Sequence, residues 1–213
     1  MENNSMAKKF FTEEERKKIE EITRDVETRT IGEVAVMVVD SSSRYIEAEI
    51  LGGTFLGAII SLITTALYFN ASVWSFIPLS LILFIPSRFL FRKFPLLKIS
   101  FIGFRRKEEA VRQRAVRAFY EKGLYKTRKS TGVLFFISIL ERKVWVLADK
   151  GIYERIDQET LNKFALTVSQ GIKEGRACAS LCDAIREAGA VLAKHFPVTS
   201  GDTDELSNKV ITE

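Results

Sequence analysis

The sequence is poor in the residues from which most metal and nucleophile sites are built. Its 213 residues include one histidine, two cysteines and four prolines. A lone histidine, His195, leaves no histidine metal cluster or proton relay, and its place at a helix end suits a C-terminal cap. Cys178 and Cys182 stand one helical turn apart on a face shared with Ile185, Gly189 and Leu192, so they read as small buried residues. Two thiolates without further partners do not complete a zinc site. No aspartyl-phosphatase motif, phosphate-binding glycine run, or cysteine followed five residues later by arginine is present. The largest absence is charge: residues 50–87 contain no Asp, Glu, Lys or Arg.

Charge elsewhere is unevenly placed. Residues 1–49 hold 8 Lys/Arg against 12 Asp/Glu, residues 88–131 hold 14 against 3, and residues 132–213 hold 10 against 12. The net +5 is therefore the product of one basic segment, which excludes a uniformly basic nucleic-acid coat. No aromatic platform accompanies the basic residues, so nucleic acid is not an expected partner. The apolar share of 46% also excludes a disordered chain.

Two apolar spans, 50–69 and 73–91, are separated by Asn70, Ala71 and Ser72, and Arg88, near the end of the second, is the one charge within them. Twenty helical residues cover about 30 Å, the thickness of a bilayer's hydrocarbon core. Neither span has a polar face, so a transmembrane hairpin is expected over 50–91. Pro86 is expected to kink or end the second helix. Gly53, Gly57, Ser61 and Thr65 recur every four residues and form a helix-packing stripe, used either against the second span or between two copies of the chain. Arg88, Arg92, Lys93, Lys98, Arg105, Arg106 and Lys107 follow the hairpin, and the connection between the spans is uncharged. The positive-inside rule then places both termini and the domain in the cytoplasm, beneath the cell (inner) membrane.

The flanks carry alternating helix and strand signals. Thr12 followed by Glu13, Glu14 and Glu15 is a helix start with a capping box, and Ile19, Ile22 and Val26 continue it to about Thr28. Glu33–Asp40 is a β-branched strand. After the hairpin come a helix over 107–122, a strand from Gly132, a charged turn at Glu141–Lys143, and an antiparallel strand Val144–Ala148 closed by Asp149-Lys150-Gly151. Two helices follow, about 156–170 and 175–194. One helix and one strand cannot bury a core alone, so residues 1–49 and 92–197 are expected to form a single α/β domain, with 198–213 a polar, acidic, flexible tail on which Leu206 and Val210 can dock locally.

Five stretches, in order, resemble the TPM-domain family: FFTEEERKKIEEI…TRTIGEVAV (10–36), KTRKSTGVLFFIS (126–138), RKVWVLADKGIYERI (142–156), GIKEGRACASLCDAIREAGAVLAKHFP (171–197) and DTDELSN (202–208). The resemblance implies an αβα sandwich, here interrupted by the transmembrane hairpin. It also implies association with membranes, assembly or assistance of other membrane proteins, a phosphatase label, and calcium binding in some members. The chain differs from the common layout in carrying its hairpin after the first strand and its domain on the cytoplasmic side.

Candidate sites follow from these placements. Asp40 and Asp149 each end a strand; were those strands adjacent and parallel, the two carboxylates would converge as ligands for Ca²⁺ or Mg²⁺, with Asp157 or Glu154 nearby. As turn acids they would instead be solvated. Glu33 and Arg142, each opening a strand, read as members of a surface ion pair or as strand-edge charges. Arg92, Lys93, Lys98, Arg105, Arg106, Lys107 and Arg112 are expected to face anionic lipid headgroups, each worth about 1 kcal/mol near the surface. The resulting expectation is a non-enzymatic, membrane-anchored interaction module with a membrane-protein partner or a second copy of itself. A weak metal-dependent phosphatase using Asp40 and Asp149 is the other reading.

Overall fold

In chain order the computed structural model, which describes residues 5–127, 129–198 and 208–213, contains α1 (Met6–Phe10), α2 (Glu13–Glu27), β1 (Glu33–Val39), α3 (Ile46–Tyr68), α4 (Val73–Lys93), α5 (Pro95–Ile99), α6 (Phe104–Glu121), β2 (Gly132–Ser138), β3 (Lys143–Ala148), α7 (Lys150–Tyr153), α8 (Gln158–Lys173), α9 (Ala177–His195) and β4 (Ile211–Thr212). The chain divides into two units, one of residues 1–42 and 109–213, the other of residues 43–108.

The first unit is a mixed α/β structure. Its sheet runs β3-β2-β1-β4, with β1 parallel to both β2 and β4 and β2 antiparallel to β3. Strand periodicity sorts β1 into two faces. Val34, Val36 and Val38 join Val133, Phe135 and Ile137 of β2 against α2, α8 and α9, through Ile19, Phe164, Leu181 and Ile185. Ala35, Met37 and Val39 join Leu134 and Phe136 against Val111, Ala115 and Phe119 of α6. Both faces being covered explains why β1 and β2 are continuously apolar rather than alternating.

Local signals place the helices around this sheet. The Thr12 hydroxyl accepts from Glu15 N–H at 3.2 Å and the Glu15 carboxylate accepts from Thr12 N–H at 2.9 Å, a complete capping box on α2. Asp157 caps α8 by accepting from Thr160 N–H at 2.7 Å, and hydrogen bonding from the Thr160 side chain, then from its backbone N–H, holds the carboxyl below the usual carboxylate range. Gly189 lets α9 close onto α2: a Cβ there would lie 2.5 Å from Val26 Cγ1.

Several elements depart from the sequence expectation, among them the short helices α1, α5 and α7, which it did not name. The C-terminal residues form β4 on the free edge of β1, where a flexible tail is expected. Glu213 N–H donates to Val38 C=O at 3.1 Å, its C=O accepts from Asp40 N–H at 3.0 Å, and its carboxylate lies between Arg114 and Lys122. Val210 packs against one core and Ile211 against the other. Leu206 lies outside the described residues. α6 also begins at Phe104, three residues before the expected start.

The second unit is built on α3 and α4, an antiparallel pair: Gly52 lies against Phe91, Gly57 against Phe84, and the Ser61 hydroxyl donates to Phe76 C=O at 3.0 Å. Asn70 and Ala71 turn the chain between them in the left-handed region, at φ 49° and 56°. α3 and α4 are 23 and 21 residues long and apolar enough to cross a membrane by length and composition. α4 runs through Pro78 and Pro86 to Lys93, so Pro86 removes one N–H donor without ending the helix. α3 starts at Ile46, with Glu47 and Glu49 in its first turn favouring the positive end of the helix dipole.

Removing residues 208–213 leaves β1, the most apolar strand, as a sheet edge, which is a template for association. The expected result is a lower thermal midpoint and concentration-dependent oligomers by light scattering; an unchanged monomeric profile would show that β4 contributes nothing. The cations Lys122 and Arg114 hold the Glu213 carboxyl below its ordinary value. A depressed folded pKa adds stability that is present above the unfolded pKa and lost as pH falls through the folded one. Amide exchange at Glu213 and Asp40, the two N–H donors of this pairing, should therefore accelerate, relative to the intrinsic rate, only below the ordinary carboxylate range.

Candidate functional sites

The two aspartates singled out in the sequence each serve the start of a helix. Asp40, just past β1, accepts the Ser5 hydroxyl at 2.9 Å and the Ala7 N–H at 2.5 Å through the same oxygen. It thus does from a distance what a side-chain cap does locally, tying α1 to the end of the strand. Beside it, Glu141 is 6% exposed and its carboxylate accepts from the Ser41 hydroxyl at 3.3 Å, the Ser42 N–H at 3.0 Å and the Ser138 hydroxyl. These bonds pin the loop after β1 to the turn between β2 and β3.

Asp149 occupies the other end of the sheet. It caps α7 by accepting from Lys150 N–H at 2.7 Å, and its own N–H donates to Gly132 C=O at 2.8 Å. Its second oxygen, Oδ2, is buried with no hydrogen bond among the described residues. The expected convergence of Asp40 and Asp149 on one ion is corrected here, because β2 lies between β1 and β3 and β3 runs antiparallel to it. Ile139 and Leu140 bond to the end of β1, whereas Asp149 bonds to Gly132 at the start of β2. Seven residue steps along β2 separate the two ends, roughly 23 Å at 3.3 Å per residue. Two ligands of one Ca²⁺ lie within about 5 Å of each other. No group of three or more His, Cys, Asp or Glu suited to a metal ion occurs among the described residues. Glu33, the residue that opens β1, is buried, at 6% exposed, rather than a surface charge.

The basic residues after the hairpin separate by environment. Lys98 is not available to headgroups: it is 8% exposed, its ammonium lies 2.6 Å from Glu49 Oε1, and it also reaches Arg44 C=O at 3.4 Å. Sequence position suggested a surface lysine, but α5 turns it toward the start of α3, where Glu49 is equally buried. Arg106 bonds Glu47 at 2.9 Å and stacks over the Tyr45 ring at 5.5 Å. Arg112 pairs with Glu109 at 3.1 Å, which raises its pKa through that hydrogen bond. Arg92, Lys93 and Arg105 are exposed, and Lys107 is half-buried.

Gly53, Gly57 and Ser61 all face α4. A Cβ on Gly53 would lie 2.9 Å from Arg88 Cα, and one on Gly57 would lie 3.1 Å from Phe84 N. Of the two uses open to the stripe, it serves packing within the chain. Cys178 and Cys182 are buried with their sulfurs 4.0 Å apart, and burial together with the neighbouring thiol pushes Cys182 up to about 12. Such thiols are poor nucleophiles.

One feature has no counterpart in the sequence reading. A cavity of about 480 Å³ opens where Phe10 of α1, the β2–β3 turn and the last turn of α8 meet. Phe10, Ile137, Val144 and Ile172 form its apolar walls, and Arg142, Lys143 and Lys173 its charged lining. Arg142 itself sits at φ 53°, the left-handed region usually filled by Gly or Asn in such a four-residue turn. The residues come from sequence positions about 130 apart, so no local pattern signals them.

Comparison with known proteins adds a fold-level likeness. No protein-family model and no curated protein matches the chain. Among solved structures it is similar to the NMR structure of the BA42 protein from the psychrophilic bacterium Bizionia argentinensis, with a TM-score of 0.61, 22% identity, and 96% of each chain covered. At that identity the shared property is the fold.

Separate capping roles for the two aspartates make a direct prediction. Asp40→Ala and Asp149→Ala should each cost about 1 kcal/mol, as lost helix caps do. In the double variant the costs should add within about 0.5 kcal/mol, as for distant sites. Coupling well beyond that in chemical denaturation, appearing only with Ca²⁺ or Mg²⁺, would restore a shared ion.

Proposed function

We propose that this chain is a membrane-anchored, non-enzymatic module: an αβα sandwich of TPM-like type, held beneath the cytoplasmic leaflet by the α3–α4 hairpin and acting on another membrane protein. The carrying observation is the apolar outer surface of the hairpin. Leu67, Trp74, Leu81 and Ile85 are 72%, 88%, 67% and 70% exposed, and the most apolar 18 residues of α4 are only 6% buried. A water-soluble helix hides such residues, and patches of this extent mark contact with lipid or protein. Tyr68 and Trp74 flank the connection at the hairpin tip, where aromatic side chains favour a membrane–water interface.

Orientation rests on the charge asymmetry. The connection between α3 and α4 is uncharged, whereas Arg88, Arg92, Lys93, Arg105 and Lys107 lie at or beyond the end of α4. Cations on that side favour the cytoplasm, and the exposed ones gain from anionic headgroups. Arg88 is close enough to the helix end to snorkel. The interaction role rests on two supports: Asp40 and Asp149 lie at opposite ends of the sheet, each at the start of a helix, and the resemblance to TPM domains points to assistance of membrane proteins. A homo-oligomer is the other partner consistent with these features.

The membrane reading predicts that the protein sediments with membranes, resists carbonate extraction and is released by detergent. In sealed inverted vesicles protease should remove the α/β unit, and in right-side-out vesicles it should not. Folded, monodisperse protein in the supernatant without detergent would overturn the anchor; the opposite protease pattern would overturn the orientation. Cross-linking in native membranes followed by mild-detergent isolation should recover an integral membrane protein, whereas recovery of the chain alone as a monomer would remove the interaction role.

A further inference from the structure

The cavity beside the β2–β3 turn lies within the first unit and is used by none of the roles above. Its volume, about 480 Å³, falls within the roughly 300–1,000 Å³ range of small-molecule pockets. Its walls are aliphatic and aromatic, so a ligand's bulk is recognised by burial of hydrocarbon. Its charged lining is of one sign: Arg142, Lys143 and Lys173, with no carboxylate among the lining residues. Arg142 and Lys173 are exposed and make no ion pair among the described residues. A cationic ligand finds no partner here, and a neutral one leaves the cations unused.

We propose that this cavity is a binding site for a fatty-acid-type ligand, a carboxylate carrying an unbranched apolar chain. The hydrocarbon lies against Phe10, Ile137, Val144 and Ile172, and the carboxylate meets Arg142 and Lys173 at the mouth. A guanidinium fork matches a carboxylate with two parallel hydrogen bonds, and a nearby ammonium adds a third contact.

Two further observations fit this assignment. Arg142 holds a left-handed backbone conformation that strains a non-glycine residue. Glycine would relieve that strain, so the position keeps an arginine side chain at the cavity at the expense of local stability. Phe10 belongs to a five-residue helix that could not persist alone, and Asp40 fixes it through Ser5 and Ala7. One cavity wall is thus held in place by a bond from the end of β1.

The test uses full-length protein in phosphatidylcholine nanodiscs, titrated calorimetrically with sodium decanoate, with protein-free nanodiscs titrated in parallel. Decylammonium and decyl phosphate serve as chain-matched probes. Decanoate should bind saturably with one site per chain, and decylammonium should give only the heat seen with empty discs. Arg142→Gly should weaken decanoate binding at least about tenfold, through loss of the guanidinium–carboxylate pair, with a thermal midpoint equal to or above the parent's. Lys173→Ala should weaken it similarly, and Ile172→Trp, which fills the cavity, should abolish it. Decanoate heats equal to those of empty discs, equal binding of decanoate and decylammonium, or full binding by both charge variants would each overturn the proposal. Tighter binding of decyl phosphate would overturn the carboxylate assignment. A chain that stays in solution without discs would be titrated in buffer, so failure of the membrane anchor and failure of this site are separate results.

Discussion

All seven residues of β1 are buried, and both its edges are hydrogen-bonded, to β2 on one side and β4 on the other. Such a strand cannot be satisfied by its neighbours in sequence. It needs two faces covered and two edges paired. The coverings come from α2, α8 and α9 on one face and α6 on the other. Because β1 and β2 are parallel, the chain must leave one end of the sheet and return to the other. Here that crossover is residues 40–131, including the whole of residues 43–108. Loop-closure entropy rises only with the logarithm of loop length, so a long insertion at this point costs little more than a short one.

The sequence was most legible where a local rule decides the structure. The capping box at Thr12 and Glu15, the unbroken apolar runs of β1 and β2, and the charged turn before β3 are each set by residues within a few positions of one another. Legibility failed where pairing over distance decides. β4 is two residues long in a polar tail, and it becomes a strand because β1 offers a free edge and Glu213 finds Arg114 and Lys122. The same holds for the proposed ion site. Asp40 and Asp149 both follow apolar strands, which is all a sequence can show; their separation is fixed by β2 lying between those strands with opposite sense to β3.

Buried charge shows a related contrast. Lys98 and Glu49, 49 positions apart, make a pair with both side chains 10% exposed, a geometry whose desolvation cost must be met by close contact. A basic residue after an apolar helix is read by default as a headgroup ligand, and only the fold of α5 shows that Lys98 is enclosed. Breaking one partner would leave the other charge buried alone, the more costly outcome. The Glu141 carboxylate is enclosed in the same sense, accepting from serine hydroxyls and a backbone N–H. Both cases tie a loop to an element distant in sequence, which is what buried polar bonds contribute when their net energy is small.

The distribution of charge between the two units sharpens the membrane proposal. Residues 43–108 hold 8 Lys/Arg against 3 Asp/Glu, whereas residues 1–42 and 109–213 hold 24 of each. The net +5 therefore belongs entirely to the unit that carries the two apolar helices. Within α6, Arg112 is matched by Glu109 and Arg114 by Glu121 and Glu213, so these two arginines serve the α/β unit's own balance. If a broad basic surface of the α/β unit were the main lipid attachment, its excess charge would reside there, and it does not. On the proposed reading the anchor is the apolar hairpin, the cations beside it set orientation and add headgroup contact, and a near-neutral α/β unit is left to recognise its partner by shape and local chemistry rather than by long-range attraction.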